Sequence, residues 1–133
     1  MLGISKNRLY TKAANNVRKQ LAKVDVKAGT GLFNQRCQHN AAQSATLHGS
    51  EVYACVVIQK GYDSPIFIHF INKDGDTFKD NTLGYLSGKY DYFLVMDIED
   101  VTRMDVELVT AKNTLFNHTA NWLEKIIFSS DIF

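Results

Sequence analysis

The spacing of hydrophobic positions changes several times along the chain, and each change marks an element. From Lys6 onward, KNRLYTKAANNVRKQLAK places Tyr10, Ala14, Val17, Leu21 and Val24 at the three-to-four spacing of one helix face, with Lys, Arg, Asn and Gln opposite. Residues 27–36, KAGTGLFNQR, have two glycines and no period, which predicts a loop. CQHNAAQSATLHG then predicts a second helix beginning near Cys37 and stopped by Gly49. After Gly49 the pattern becomes β-branched and aromatic: EVYACVVIQK, SPIFIHFIN (64–72) and YDYFLVMDI (90–98) read as strands, and VELVT (106–110) is a further candidate. The closing NTLFNHTANWLEKIIF returns to a helical stripe of Leu115, Phe116, Thr119, Leu123, Ile126 and Ile127.

These elements predict an α+β fold: two N-terminal helices, an antiparallel sheet of four or five strands centred on a hairpin over 65–83, and a C-terminal helix covering one face. With 133 residues, 45% hydrophobic and 22% charged, the chain is expected to be a single domain, 1–133. Within it, 1–30 forms a basic N-terminal helical arm and 31–133 the α+β core. A domain of this size buries roughly 65–70% of its unfolded surface, enough for a core without disulfides or metals. Its two cysteines are too few for a disulfide framework. No apolar run reaches the roughly 20 residues that span a bilayer, and MLGISKNRLY lacks the features of a signal peptide. A soluble, cytoplasmic protein without membrane contact is expected.

The net charge of +1 conceals an asymmetry. Residues 1–36 carry eight Lys/Arg against Asp25 alone, giving +7, while residues 37–133 carry seven basic and thirteen acidic side chains, giving −6. Such an arm is most simply a solvated helix face, and its functional alternative is contact with an acidic macromolecule. Its helical part has one aromatic, Tyr10, which is thin for stacking on bases, so nucleic acid is a disfavoured partner.

Candidate chemistry comes from the hairpin. A two-residue Asp74-Gly75 turn would pair Lys73 with Asp76 and set His69 directly opposite Asp80, with Cβ atoms about 4.5–5.5 Å apart. A carboxylate so placed fixes the imidazole tautomer and frees the other ring nitrogen to act as a base. Cys37, at the start of a helix, is a candidate nucleophile, because unpaired helix N–H groups favour a thiolate and can donate to an oxyanion.

The segments Arg36-Cys37-Gln38-His39-Asn40-Ala41, Ile68-His69-Phe70-Ile71-Asn72 and Asp80-Asn81-Thr82-Leu83-Gly84 resemble the papain-like and transglutaminase-like cysteine fold, over roughly residues 31–97. The resemblance implies a nucleophilic Cys opening a helix packed on a sheet, with His and Asp on neighbouring strands. It makes Cys37 the nucleophile, His69 the general base and acid, and Asp80 its orienter. Gln35, Asn34 and Asn81 are weaker candidates for contacting substrate or oxyanion. The expected function is hydrolysis or transfer of an acyl group, by amide cleavage, deamidation or transamidation, through a Cys37 thioester on a peptide or protein substrate, with no cofactor. The alternative is a non-catalytic accessory protein that binds a macromolecule through its basic first helix.

Other motifs carry less. Cys37, His39, His48 and Cys55 are zinc-ligand types, but C-x-H-x8-H-x6-C is not a paired-ligand spacing, and Cys55 sits in an apolar strand. Asp97, Glu99 and Asp100 read as a solvated strand end. KAGTG lacks the Lys-Ser/Thr of a phosphate loop, and no G-x-G-x-x-G follows a strand.

Overall fold

The computed structural model describes residues 5–29 and 37–133. Helix α1 (Lys6–Gln20) is capped by Ser5, whose hydroxyl accepts the Arg8 N–H, and Arg18 and Lys19 in its last turn suit the negative end of the helix dipole. It buries Leu9, Ala13, Ala14 and Val17, a face rotated slightly from the expected one, and it ends before Val24. The chain then forms two short strands, β1 (Lys23–Val24) and β2 (Val26–Ala28), where the sequence predicted a loop from residue 27. Residues 30–36 of that loop lie outside the described residues.

Helix α2 (Cys37–His48) leads through Gly49, at φ 68°, into the long strands β3 (Glu51–Gln59) and β4 (Ile66–Asp74). Strand β5 (Thr77–Asp80), a 3-10 turn over Gly84–Lys89 and strand β6 (Tyr90–Ile98) follow. The sheet order is β1-β6-β3-β4-β5-β2, so β1 and β2 occupy its two edges although only Asp25 separates them. Two peptide units span at most about 7 Å, and the sheet therefore curls until its edges meet.

This closure corrects the expected all-antiparallel sheet. With β1 and β2 counted as one strand the ring has five members, and an odd ring cannot alternate in direction all the way round. The mismatch falls at β2 and β5, which pair in parallel, while every other pairing is antiparallel.

The outer face of the sheet is covered by helices. Ala54, Val56, Ile58, Ile68, Phe70 and Phe93 pack there against Leu9, Ala13 and Val17 of α1, Ala41 of α2, and Ala111, Leu115 and Phe116 of helix α3 (Met104–Thr119). The inner face forms a smaller core of Cys55, Val57, Ile71 and Tyr92, flanked by Val24, Val26, Phe67 and Phe78.

Two C-terminal expectations are corrected. Residues 106–110 are helical, not a strand: Met104, Ala111, Leu115 and Thr119 are buried on one side of α3, while Val106 and Val109 face solvent. The closing helix is also broken, because Asn121 accepts the Glu124 N–H while Glu124 accepts the Asn121 N–H, a capping box that starts helix α4 (Trp122–Ile127) afresh. Ile126 and Ile127 are consequently exposed rather than part of a buried stripe. Lys12 pairs with the buried Glu124 carboxylate and ties α1 to α4.

Candidate active site

The β4–β5 hairpin differs from expectation by two residues. Its pairs are Asn72 with Lys79, Lys73 with Phe78 and Asp74 with Thr77, so the turn is Gly75-Asp76. Gly75 takes the first central position at φ 58°, the left-handed conformation that both primed hairpin turns need there. In this register Asp80 falls opposite Ile71, and His69 lies diagonally across. A slip of two residues is one full pleat, so His69 and Asp80 still share a face. Diagonal neighbours are about 7–8 Å apart, and an imidazole bridges that gap.

His69 Nε2 lies 2.9 Å from Asp80 Oδ2. The Tyr92 hydroxyl donates to the same oxygen at 2.5 Å. Asp80 Oδ1 accepts the N–H groups of Thr82 and Leu83, each at 2.9 Å, in a side-chain-capped turn that ends β5. His69, Asp80 and Tyr92 are 4%, 0% and 2% exposed, so water does not compete for these bonds.

Burial pushes the Asp80 carboxyl up, but the hydrogen bond and charge of His69, the Tyr92 hydroxyl and the Leu83 N–H together hold it below its ordinary value. Asp80 is thus a carboxylate with no proton to give. His69 Nε2 must then be the donor, which leaves Nδ1 as the basic nitrogen of the neutral ring. Burial and the Asp80 charge raise the Tyr92 phenol far above its usual range, so it remains a donor.

Asparagine side chains fasten α2 to this end of the sheet. Asn40 Nδ2 donates to Thr82 Oγ1 at 2.9 Å, and Asn72 Nδ2 donates to the Ala41 carbonyl at 2.9 Å. Asn81 Nδ2 donates to Asn72 Oδ1 at 2.8 Å. The Gly29 N–H donates to the Asp80 carbonyl, and a Cβ on Gly29 would lie 2.1 Å from Asn81 Oδ1, so only glycine fits this crossing. Three segments therefore converge where β5 ends: β2 with the residue after it, the turn over 80–83, and the first turns of α2.

Of the expected site residues, His69 and Asp80 are brought together. Cys37 is the first residue of α2, one helical turn before Asn40, and its side chain lies outside the described residues. So do Asn34 and Gln35. Asn81 is placed among the asparagines that hold α2. Helix α2 covers the outer face of the sheet, whereas His69 points to the inner one. Tyr92 was not anticipated, because a tyrosine in YDYFLVMDI reads as ordinary strand composition.

The other candidates resolve differently. Cys55 is fully buried in the inner core, paired across strands with His69, and its thiol donates to the His69 carbonyl at 3.3 Å. Asp100 caps the 3-10 turn over Val101–Arg103 by accepting the Thr102 N–H. Among the described residues no group of three or more His, Cys, Asp or Glu is placed to hold a metal ion, and no helix is long and apolar enough to cross a membrane. Compared with known proteins, the chain matches no family model, no curated protein and no solved structure.

Proposed function

We propose that this chain is a small thiol enzyme of the papain-like or transglutaminase-like kind, acting on an acyl group through a thioester on Cys37. The observation that carries the proposal is the water-excluded His69–Asp80 bond, with its tautomer fixed, at the end of the sheet where the helix opened by Cys37 is fastened.

In this mechanism His69 Nδ1 takes the proton from the Cys37 thiol, and Asp80 stabilises the imidazolium that results. The thiolate adds to the acyl carbon, and the negative charge that develops on oxygen is met by N–H groups at the start of α2. Collapse breaks the bond to the leaving amine, which takes the proton from His69. Water, or a second amine, then adds to the thioester carbon with His69 again as base, and the thiol is regenerated. Peptide or protein amides are the substrate class, and the sequence of steps uses no cofactor. A cytoplasmic setting, where thiols stay reduced, suits it.

The test is acyl trapping with p-nitrophenyl acetate followed by peptide mapping. Acetyl is expected on Cys37, absent in Cys37→Ala, much slower in His69→Ala, and never on buried Cys55. Acylation indifferent to His69, or none at Cys37, overturns the proposal.

A second reading rests on the exposed Lys6, Arg8 and Lys19 of α1. A binding protein that used this face would hold an acidic partner with an affinity that falls steeply with salt, and Cys37 would be unreactive.

A further inference from the structure

We infer that Tyr92 is a positioning residue that sets the charge balance of the His69–Asp80 pair, donating to Asp80 from the opposite wall of the curled sheet. The inference deepens the thiol mechanism and rests on it for its catalytic meaning.

Tyr92 stands on β6, which is separated from β5 by β3 and β4 in the sheet order. No strand pairing brings it to Asp80. The contact exists only because the sheet curls, so that a side chain from one wall crosses the interior to the other. Its ring packs in the inner core with Cys55, Val57 and Ile71, and its hydroxyl reaches the oxygen that also accepts His69.

Asp80 then has four donors on its two oxygens: Thr82 and Leu83 on Oδ1, His69 and Tyr92 on Oδ2. A carboxylate offers about four lone-pair sites, so the set is full. The two backbone donors fix where Asp80 sits. The two on Oδ2 share one partial charge, and whatever Tyr92 draws is withheld from His69. Tyr92 therefore moderates how strongly the carboxylate stabilises the imidazolium. At 2% exposure it meets no substrate, which is why it acts through Asp80 and not on the reacting atoms.

Among the described residues the other titratable groups packed in the inner core around this pair come from two strands: Tyr53 and Cys55 from β3, and Tyr90 and Tyr92 from β6. Cys55 donates to a backbone carbonyl, and the Tyr90 ring stacks edge-on against Phe67. Tyr92 is the one of these that donates to Asp80, so the Tyr92→Phe change removes a single donor and keeps the ring.

The experiment is a titration of the His69 ring nitrogens by NMR in the native protein and in Tyr92→Phe, with Ile71→Val as a variant that trims the same interior and leaves the bond intact. With Tyr92→Phe the imidazolium midpoint is expected to move to higher pH by about one unit, because Oδ2 is left to His69 alone. Ile71→Val should leave it in place. An unchanged midpoint in Tyr92→Phe, or an equal shift in Ile71→Val, overturns the inference. If Tyr92→Phe does not fold, the native protein answers: an exchange-protected Tyr92 hydroxyl proton with a cross-peak to the His69 Nε2 proton supports the inference, and its absence overturns it. A shifted His69 midpoint together with a Cys37 that ignores His69 supports the inference about the pair and removes the thiol mechanism, so the two fail separately.

Discussion

The two faces of β4 follow different physics. Ile66, Ile68 and Phe70 point outward into the helix-covered core, where contacts are non-directional and any apolar group of similar volume serves. Ile71 and His69 point inward, where an imidazole, a carboxylate and a phenol are closed off from water and each depends on the others for its partner. The outer face makes the fold stable by area. The inner face confers specificity, since an unpaired buried polar group costs more than a hydrogen bond returns.

Mutations should separate the two faces, starting with the carboxylate on which the inner one turns. Asp80→Ala strips partners from His69, Tyr92 and two backbone N–H groups at once, and should destabilise the protein by about 3–5 kcal/mol in urea unfolding. Acid is the reversible form of that change. The folded carboxyl lies below its ordinary value, so its contribution is complete above the unfolded pKa of about 3.9 and is lost as pH falls from there through the folded value. The drop in unfolding midpoint over that window should be smaller in Asp80→Asn than in the native protein. If the two drops are equal, other carboxylates govern acid unfolding.

Smaller deletions sharpen the contrast. Tyr92→Phe removes one hydroxyl from the inner face and should cost about 1.5–3 kcal/mol, the range for a hydrogen bond to a charged group. Ile68→Val removes one methylene-sized group from the outer face and should cost about 0.5–1.5 kcal/mol. Thermal or urea unfolding of the pair checks the order, and a larger loss for Ile68→Val would mean that the inner network adds little.

Much of this architecture can be read from the sequence where period and punctuation coincide. Gly49 separates a helical stretch from a β-branched one, and α2, β3 and β6 stand where the pattern places them. The hairpin register is less legible, because Asp74-Gly75 reads as the turn whereas Gly75 is its first central residue; His69 and Asp80 share a face in either register because the two differ by one pleat. Five residues of VELVT are too few to tell a strand from a helix face. Closure of the sheet was hidden for another reason: β1 and β2 are two and three residues long, and their pairing is decided by the strands they meet. Tyr92 stayed hidden with it, since its partner is reached only across the closed interior. The turn after β5 was more legible, for Asp80-Asn81-Thr82 is a sequence in which an aspartate accepts the N–H two residues on.

The most direct test of the central claim, that His69 activates Cys37, is the pH dependence of iodoacetamide alkylation, followed by peptide mass spectrometry in the native protein and in His69→Ala, with buried Cys55 as the internal reference. Rapid modification of Cys37 is expected well below the free-thiol pKa of about 8.5, lost in His69→Ala, while Cys55 stays unmodified. Slow alkylation of Cys37 that follows an ordinary thiol curve in both proteins would contradict that claim.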